Sequence, residues 1–123
     1  MKKYMLGSVI SFFLFIIYMD NPEAKEPGFI NYDGDTFKAT FRLQGVDTPE
    51  LKGKCAYEIS IAKKAKIFTE KFLKRKLVSI STFGIDKYGR VLAKVSSGED
   101  DLGELLISEG LARKWRGKRE SWC

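Results

Sequence analysis

The chain has 123 residues, no histidine and a formal net charge of +6 at pH 7. This length is enough for one domain. The absence of histidine excludes acid–base catalysis by histidine and most zinc sites, which leaves carboxylates, arginines and a hard cation as the available chemistry. The positive charge suits a polyanionic partner such as nucleic acid or anionic lipid.

The N-terminal segment has the pattern of an export signal. Lys2 and Lys3 precede an uncharged, largely apolar run over residues 4–19, which is shorter than the roughly 20 residues of a usual membrane span. No clear small-residue cleavage site follows. Residues 1–24 are therefore predicted to be a signal peptide or a membrane anchor, and residues 25–123 an exported domain. An uncleaved signal would tether the protein to the membrane through residues 4–19.

Residues 29–46 favour short strands with one buried face. Phe37, Phe41 and Leu43 alternate with polar residues, and Asp33-Gly34-Asp35 interrupts the run as a turn.

The rest of the chain alternates between helical and strand patterns. Apolar residues recur at helical spacing over residues 57–76, at Ile61, Ala65, Phe68 and Phe72. Strands are predicted over 78–83 and 91–95, and a short helix over 102–109. This order predicts an α+β domain, a small five-stranded Greek-key OB-type β-barrel with packed α-helices.

Three motifs stand in order along this domain. They are Tyr-Asp-Gly-Asp-Thr at 32–36, Thr-Phe-Arg-Leu-Gln-Gly-Val-Asp-Thr-Pro-Glu at 40–50, and Asp-Lys-Tyr-Gly-Arg-Val-Leu-Ala at 86–93. Together with the helix between them, they resemble the staphylococcal nuclease (thermonuclease) family. The resemblance covers nearly everything after the N-terminal segment, and it implies an enzyme that hydrolyses phosphodiester bonds.

The acidic residues of these motifs acquire roles from the resemblance. Asp35 and Asp47 are similar to the family's calcium-binding carboxylates, with the backbone carbonyl of Thr48 as a further ligand. Glu50 is similar to the general base that activates water. A flexible cage of oxygen ligands is also what Ca²⁺ accepts.

The basic residues acquire roles in the same way. Arg42 and Arg90 are similar to the pair that binds the scissile phosphate, a task for which the planar guanidinium is suited. Lys87 and Tyr88 match the family's substrate-contacting turn. The implied activity is calcium-dependent cleavage of DNA and RNA that leaves 3′-phosphates, by a protein that is a monomer by default.

Each of these residues also has a simpler interpretation. Asp35 and Asp47 can be turn residues, and Arg42 and Arg90 can be exposed strand residues in surface ion pairs. The corresponding alternative function is a catalytically impaired OB-fold module that binds nucleic acid.

The first hairpin departs from the family pattern, because the segment between Thr36 and Arg42 is several residues shorter than usual. If Asp35 and Arg42 are to lie opposite each other, the chain must reverse around Lys38 and Ala39. That pair is poor for a two-residue hairpin turn, which favours Asn, Asp or Gly. Either the turn is strained, or the strands pair differently and Asp35 or Arg42 shifts.

The C-terminal segment, residues 113–123, is basic and ends at a cysteine. With an export signal upstream, Cys55 and Cys123 favour a disulfide that ties this segment to the domain, although two free thiols stay an alternative. Trp115 and Trp122 either stack on bases or fill the core.

Overall fold

The computed structural model describes residues 28–123. The predicted signal or anchor, residues 1–24, lies outside this range. In the part described, no helix is long and apolar enough to cross a membrane. The elements in chain order are β1 (Ile30–Asn31), β2 (Phe37–Lys38), β3 (Phe41–Leu43), β4 (Val46–Asp47), α1 (Ala56–Leu73), β5 (Ser79–Ile85), β6 (Val91–Ser97), β7 (Asp100–Asp101), α2 (Leu102–Ser108) and β8 (Arg113–Lys114).

Strand β6 is the centre of the largest sheet. It pairs in parallel with β3 and antiparallel with β5 and β7. Strand β4 pairs antiparallel with β8, which brings the C-terminal segment beside the middle of the chain. These pairings and the two helices confirm the predicted α+β class and OB-type fold. Residues of β5 are exposed along its whole length, so it is an edge strand on one side of the sheet.

The core lies between this sheet and the two helices. The predicted apolar stripe of α1 is confirmed, since Ala65 and Phe72 are buried and Ile61 and Phe68 pack against the buried cluster. Removing this apolar surface from water is the main stabilising contribution of the helix. The other buried residues of this core are Val46, Val95, Leu102, Leu106, Leu111 and Ala112.

Helix α1 begins after Cys55, whose backbone is extended, and ends at Leu73, three residues before the predicted boundary. The last predicted turn is not helical because residues 74–76 are all basic and add nothing to the buried stripe. Arg75 instead lies over the ring of Phe72 and forms an ion pair with Asp100 at 2.7 Å.

The sequence allows either a strained turn at Lys38-Ala39 or a different pairing of the strands, and the structure shows the different pairing. The chain reverses at residues 33–35, where the Tyr32 amide donates to the Thr36 carbonyl at 2.9 Å, and β1 pairs with β2. No reversal occurs at Lys38-Ala39, and within residues 28–123 every residue with positive φ is a glycine. Strand β3 therefore pairs with β6 rather than with β2.

Asp101 caps α2, and its loss is expected to be measurable. Its Oδ1 accepts a hydrogen bond from the Glu104 amide at 2.9 Å. Replacing Asp101 with alanine should lower the free energy of unfolding by about 1 kcal/mol, because this helical N–H loses its partner. Urea unfolding measures the change, with Glu99→Ala in the same turn as the matched control. Equal stability of the two variants would show that the cap contributes nothing.

Candidate functional site

A cavity of about 730 Å³ opens between β3, the start of β6 and the C-terminal segment. Most of the residues singled out by the sequence motifs line it: Arg42, Asp47, Thr48, Glu50, Tyr88 and Arg90. Trp115 and Arg119, from the C-terminal segment, line it as well.

Arg42 lies in the middle of β3 and is fixed by the backbone beside it. Its guanidinium donates to the carbonyl of Leu43 and, at 2.8 Å, to the carbonyl of Val46. Burial lowers the pKa of Arg42, and repulsion from the Arg90 guanidinium lowers it further. The two positive charges therefore act on one cavity, which favours a ligand of opposite charge between them.

Arg90 is held by the turn that precedes it. Asp86 Oδ2 accepts from Arg90 Nε at 2.7 Å, while Oδ1 accepts from the backbone amides of Tyr88 and Arg90, both at 2.9 Å. Gly89 closes the turn with a φ of +79°, a conformation that suits glycine. Because Asp86 binds Nε, the two terminal nitrogens of Arg90 form no hydrogen bond with any other described residue.

The hydrogen bonds that Asp86 accepts from this turn also keep its carboxylate ionised. Burial alone would raise its pKa, but hydrogen bonds from the backbone and side chain of Arg90 and from the Tyr88 amide, with the charge of Arg90, hold the pKa below its ordinary value. Asp86 therefore carries a negative charge at neutral pH that orients Arg90.

Lys87 and Tyr88 form the exposed edge of this turn. The Lys87 ammonium lies 5.2 Å from the centre of the Tyr88 ring, as does the Arg90 guanidinium carbon. Tyr88 lines the cavity, whereas Lys87 does not. Of the two predicted substrate contacts, the structure thus brings the tyrosine alone to the cavity wall.

Asp47 is buried, with 4% of its surface exposed, and the C-terminal segment neutralises it. Its Oδ2 accepts from Trp122 Nε1 at 3.2 Å and from Arg113 Nε at 3.4 Å, and its Oδ1 lies 3.7 Å from Arg119 Nη1. Arg113 also lies over the Trp122 ring at 4.1 Å. Trp122 therefore serves the structure of the site, while the half-exposed Trp115 lines the cavity.

Glu50 lies at the rim of the cavity, and its side chain is 60% exposed. Its Oε1 is 2.6 Å from Arg119 Nη1. Arg119 in turn contacts the buried Glu58, so the carboxylate of Glu50 has a defined position although water reaches it.

The residues predicted to bind calcium are not brought together. Asp35 is exposed at the tip of the β1–β2 turn, where its carboxylate accepts from the Thr36 hydroxyl at 2.9 Å, and it does not line the cavity. Within residues 28–123 no three acidic, cysteine or histidine side chains converge as a metal site would require. Because arginines already neutralise Asp47, the arrangement does not fit a calcium cage, and the calcium site stays a prediction.

The disulfide predicted from the two cysteines is present. Cys55 and Cys123 are joined with an S–S distance of 2.11 Å. It lies directly before α1, next to the segment that carries Glu50. This link is the sequence signal that brings the C-terminal segment to this side of the domain, where Arg113 and Trp122 contact Asp47 and Arg119 contacts Glu50.

Because of Glu58, the free energy of unfolding should decrease as the pH is lowered into the acid range. Backbone amides of Lys54 and Glu50, and the Arg119 guanidinium, donate to its carboxylate, and they lower its pKa although burial opposes them. A lowered folded-state pKa stabilises the protein above the ordinary value of about 4.3, and this stabilisation is lost as pH falls through the folded value.

Glu58→Gln should therefore be less stable than the wild type at pH 7, and the difference should shrink below about pH 4.3. Urea unfolding between pH 7 and pH 3 measures it. A constant difference across this range would contradict the assignment.

The fold and the cavity define a class of protein: a basic OB-type domain whose cavity is lined by three arginines and two carboxylates. Comparison with known protein families identifies the family to which the chain belongs. Residues 40–121 match the model of the staphylococcal nuclease homologues, and the chain belongs to this nuclease-like family. No curated protein matches the chain.

Proposed function

We propose that the protein is a phosphodiester hydrolase that cleaves both DNA and RNA and leaves 3′-phosphates. The observation that carries this proposal is the convergence of Arg42, Arg90 and Glu50 on one cavity. The family match gives the same class of substrate.

The two arginines are proposed to hold the scissile phosphate. A bound phosphate relieves the repulsion between Arg42 and Arg90, and the terminal nitrogens of Arg90, which form no hydrogen bond to another described residue, suit a bidentate contact with its oxygens. Because both side chains are already fixed, by backbone carbonyls and by Asp86, they need little reorganisation as charge develops in the transition state.

Glu50 is proposed as the general base. Its carboxylate is accessible to water at the cavity rim and accepts a proton as the water oxygen bonds to phosphorus. The bond from phosphorus to the 5′-oxygen breaks, and that oxygen leaves with a proton from solvent. The product strand retains a 3′-phosphate.

A calcium requirement is proposed on the family resemblance, with Asp35, Asp47 and Thr48 as the expected ligands. The arrangement of the described residues lends it no support, because Asp35 lies apart and Asp47 is neutralised.

The protein is further proposed to act outside the cytoplasm as a monomer. The disulfide suits an oxidising compartment, and residues 1–24 have the pattern of an export signal. Mass spectrometry of the native N-terminus distinguishes a protein with a cleaved signal peptide from one that keeps residues 1–24 as a membrane anchor. A start near Lys25 would exclude the membrane tether through residues 4–19, and an intact N-terminus would leave that tether as the form to test for membrane association.

The test of the function is cleavage itself. The full-length protein is incubated with single-stranded DNA and RNA, with Ca²⁺ and then with excess chelator. Calcium-dependent loss of both substrates, with 3′-phosphate ends, is the expected result. Binding to intact substrates by a folded protein would instead favour the second candidate, a nucleic-acid-binding module without catalysis, which the non-converging acidic residues favour.

A further inference from the structure

The loop that carries Glu50 is folded around the carboxylate of Glu58. Glu58 lies in the first turn of α1 and is 5% exposed. Its Oε1 accepts from the Glu50 amide at 3.2 Å, and its Oε2 accepts from the Lys54 amide at 2.9 Å. The two ends of the loop therefore bind one buried side chain.

Gly53 shows how closely the loop approaches this carboxylate. A Cβ added at Gly53 would lie 2.6 Å from the Glu58 side chain, a distance that no side chain tolerates without a shift. The loop reaches Glu58 because this position has no side chain.

Arg119 joins the same carboxylate to the side chain of Glu50. Its Nη2 is 3.2 Å from Glu58 Oε1, and its Nη1 is 2.6 Å from Glu50 Oε1. Burial opposes the charge, but attraction to Glu50 and hydrogen bonds to Glu58 raise the pKa of Arg119 above its ordinary value. Arg119 is thus a permanent cation shared by three carboxylates, since Asp47 Oδ1 also lies 3.7 Å from its Nη1.

Two links hold Arg119 in place. Cys123 is bonded to Cys55 just before α1, and the Arg113 guanidinium donates to the carbonyls of Glu120 and, at 3.1 Å, Ser121. An exposed ion pair alone contributes little, because ordering two long side chains opposes it. Here the chain around Arg119 is already ordered, so the contact with Glu50 costs less entropy.

We propose that Glu58 and Arg119 are positioning residues for Glu50: Glu58 fixes its backbone, and Arg119 fixes its carboxylate at the rim of the cavity. This inference rests on the proposed hydrolase function. Both terminal nitrogens of Arg119 contact carboxylates, whereas those of Arg90 form no hydrogen bond in the described part of the chain and can bind phosphate. Removing Arg119 should therefore lower kcat and leave KM nearly unchanged.

The first arm of the test needs no activity. In ¹⁵N spectra of the full-length protein, the Glu50 and Lys54 amide shifts should follow the ionisation of Glu58 as pH is lowered. Arg119→Gln should move this transition to higher pH, and Lys118→Gln, which removes the same charge one residue earlier, should leave it in place. Identical transitions in Arg119→Gln and the wild type would overturn the proposed network.

The second arm measures turnover of single-stranded DNA. Arg119→Gln should lower kcat by about tenfold to a hundredfold, since a displacement of about 1 Å at a catalytic group has an effect of that size. KM should stay within about twofold, Arg119→Lys should recover part of the rate, and Lys118→Gln should match the wild type.

A raised KM with unchanged kcat would overturn the proposal and make Arg119 a phosphate ligand. Unchanged kinetics in a folded Arg119→Gln would also overturn it, while leaving the hydrolase function intact. An inactive wild type would refute the hydrolase function and this inference together.

Discussion

Arg90→Gln should lower kcat for single-stranded DNA by about 10²–10³-fold, the range seen when one fixed donor to a developing oxyanion is lost. Asp86 binds Arg90 at Nε alone, and the terminal nitrogens of this cavity arginine form no hydrogen bond within residues 28–123. Glutamine removes both the charge and the planar fork. The folded state should survive, since Asp86 keeps the backbone amides of Tyr88 and Arg90 as donors.

Steady-state kinetics with a thermal unfolding control measure this effect. Arg90→Lys should be intermediate, because it keeps the charge and loses the bidentate geometry. Arg75→Gln is the matched control, since Arg75 forms an exposed ion pair with Asp100 and does not line the cavity. If Arg90→Gln and Arg75→Gln were equally active, the cavity would not be the site of cleavage.

Removing the disulfide should have the largest effect on stability. Cys55→Ser with Cys123→Ser opens a link between residues 68 positions apart, for which the chain-entropy model gives about 4 kcal/mol. The expected loss in free energy of unfolding is of that order, measured by urea unfolding under non-reducing conditions.

The same variant should also lose activity before it unfolds, because residues 119–123 would no longer be held beside Glu50. Wild-type protein treated with a thiol reductant is the control, and it should converge on the behaviour of the double variant. A double variant as stable as the untreated wild type would show that contacts of Arg113 and Trp122 alone hold the tail.

Much of the fold follows from patterns within single segments. The stripe from Ile61 to Phe72 predicts α1, and the alternation after Gly89 predicts β6. These patterns are reliable because the buried face of a helix or a strand sets the spacing at which apolar residues recur along that element. The boundaries of α1 were less predictable, since the ring of Phe72 and the carboxylate of Asp100 draw Arg75 out of the helix.

The residues of the candidate site that lie within a sequence motif were predictable. Arg42 and Arg90 meet at the cavity because the parallel pairing of β3 with β6 places Arg42 beside the start of β6. Glu50 reaches the cavity from the loop after β4. Asp35 does not join them, because the pairing of β1 with β2 holds it in an exposed turn before β3 begins.

What sequence patterns missed are contacts between distant segments. Glu58 looks like one charge on a helix, and Arg119 like one of several basic residues in the tail. Their roles depend on a loop that closes around a buried carboxylate and on a tail returned by the disulfide. Neither feature produces a repeating pattern of apolar and polar residues in the sequence around it.

The most direct test of the central claim is the cleavage rate of Glu50→Gln, measured beside its affinity for single-stranded DNA. Glutamine keeps the shape of Glu50 and cannot accept the proton of water. We expect cleavage to fall by about a hundredfold or more, with the dissociation constant for DNA within about threefold of the wild-type value because Arg42 and Arg90 are untouched. Cleavage by Glu50→Gln at the wild-type rate would contradict the claim that this cavity cuts phosphodiester bonds with Glu50 as its base.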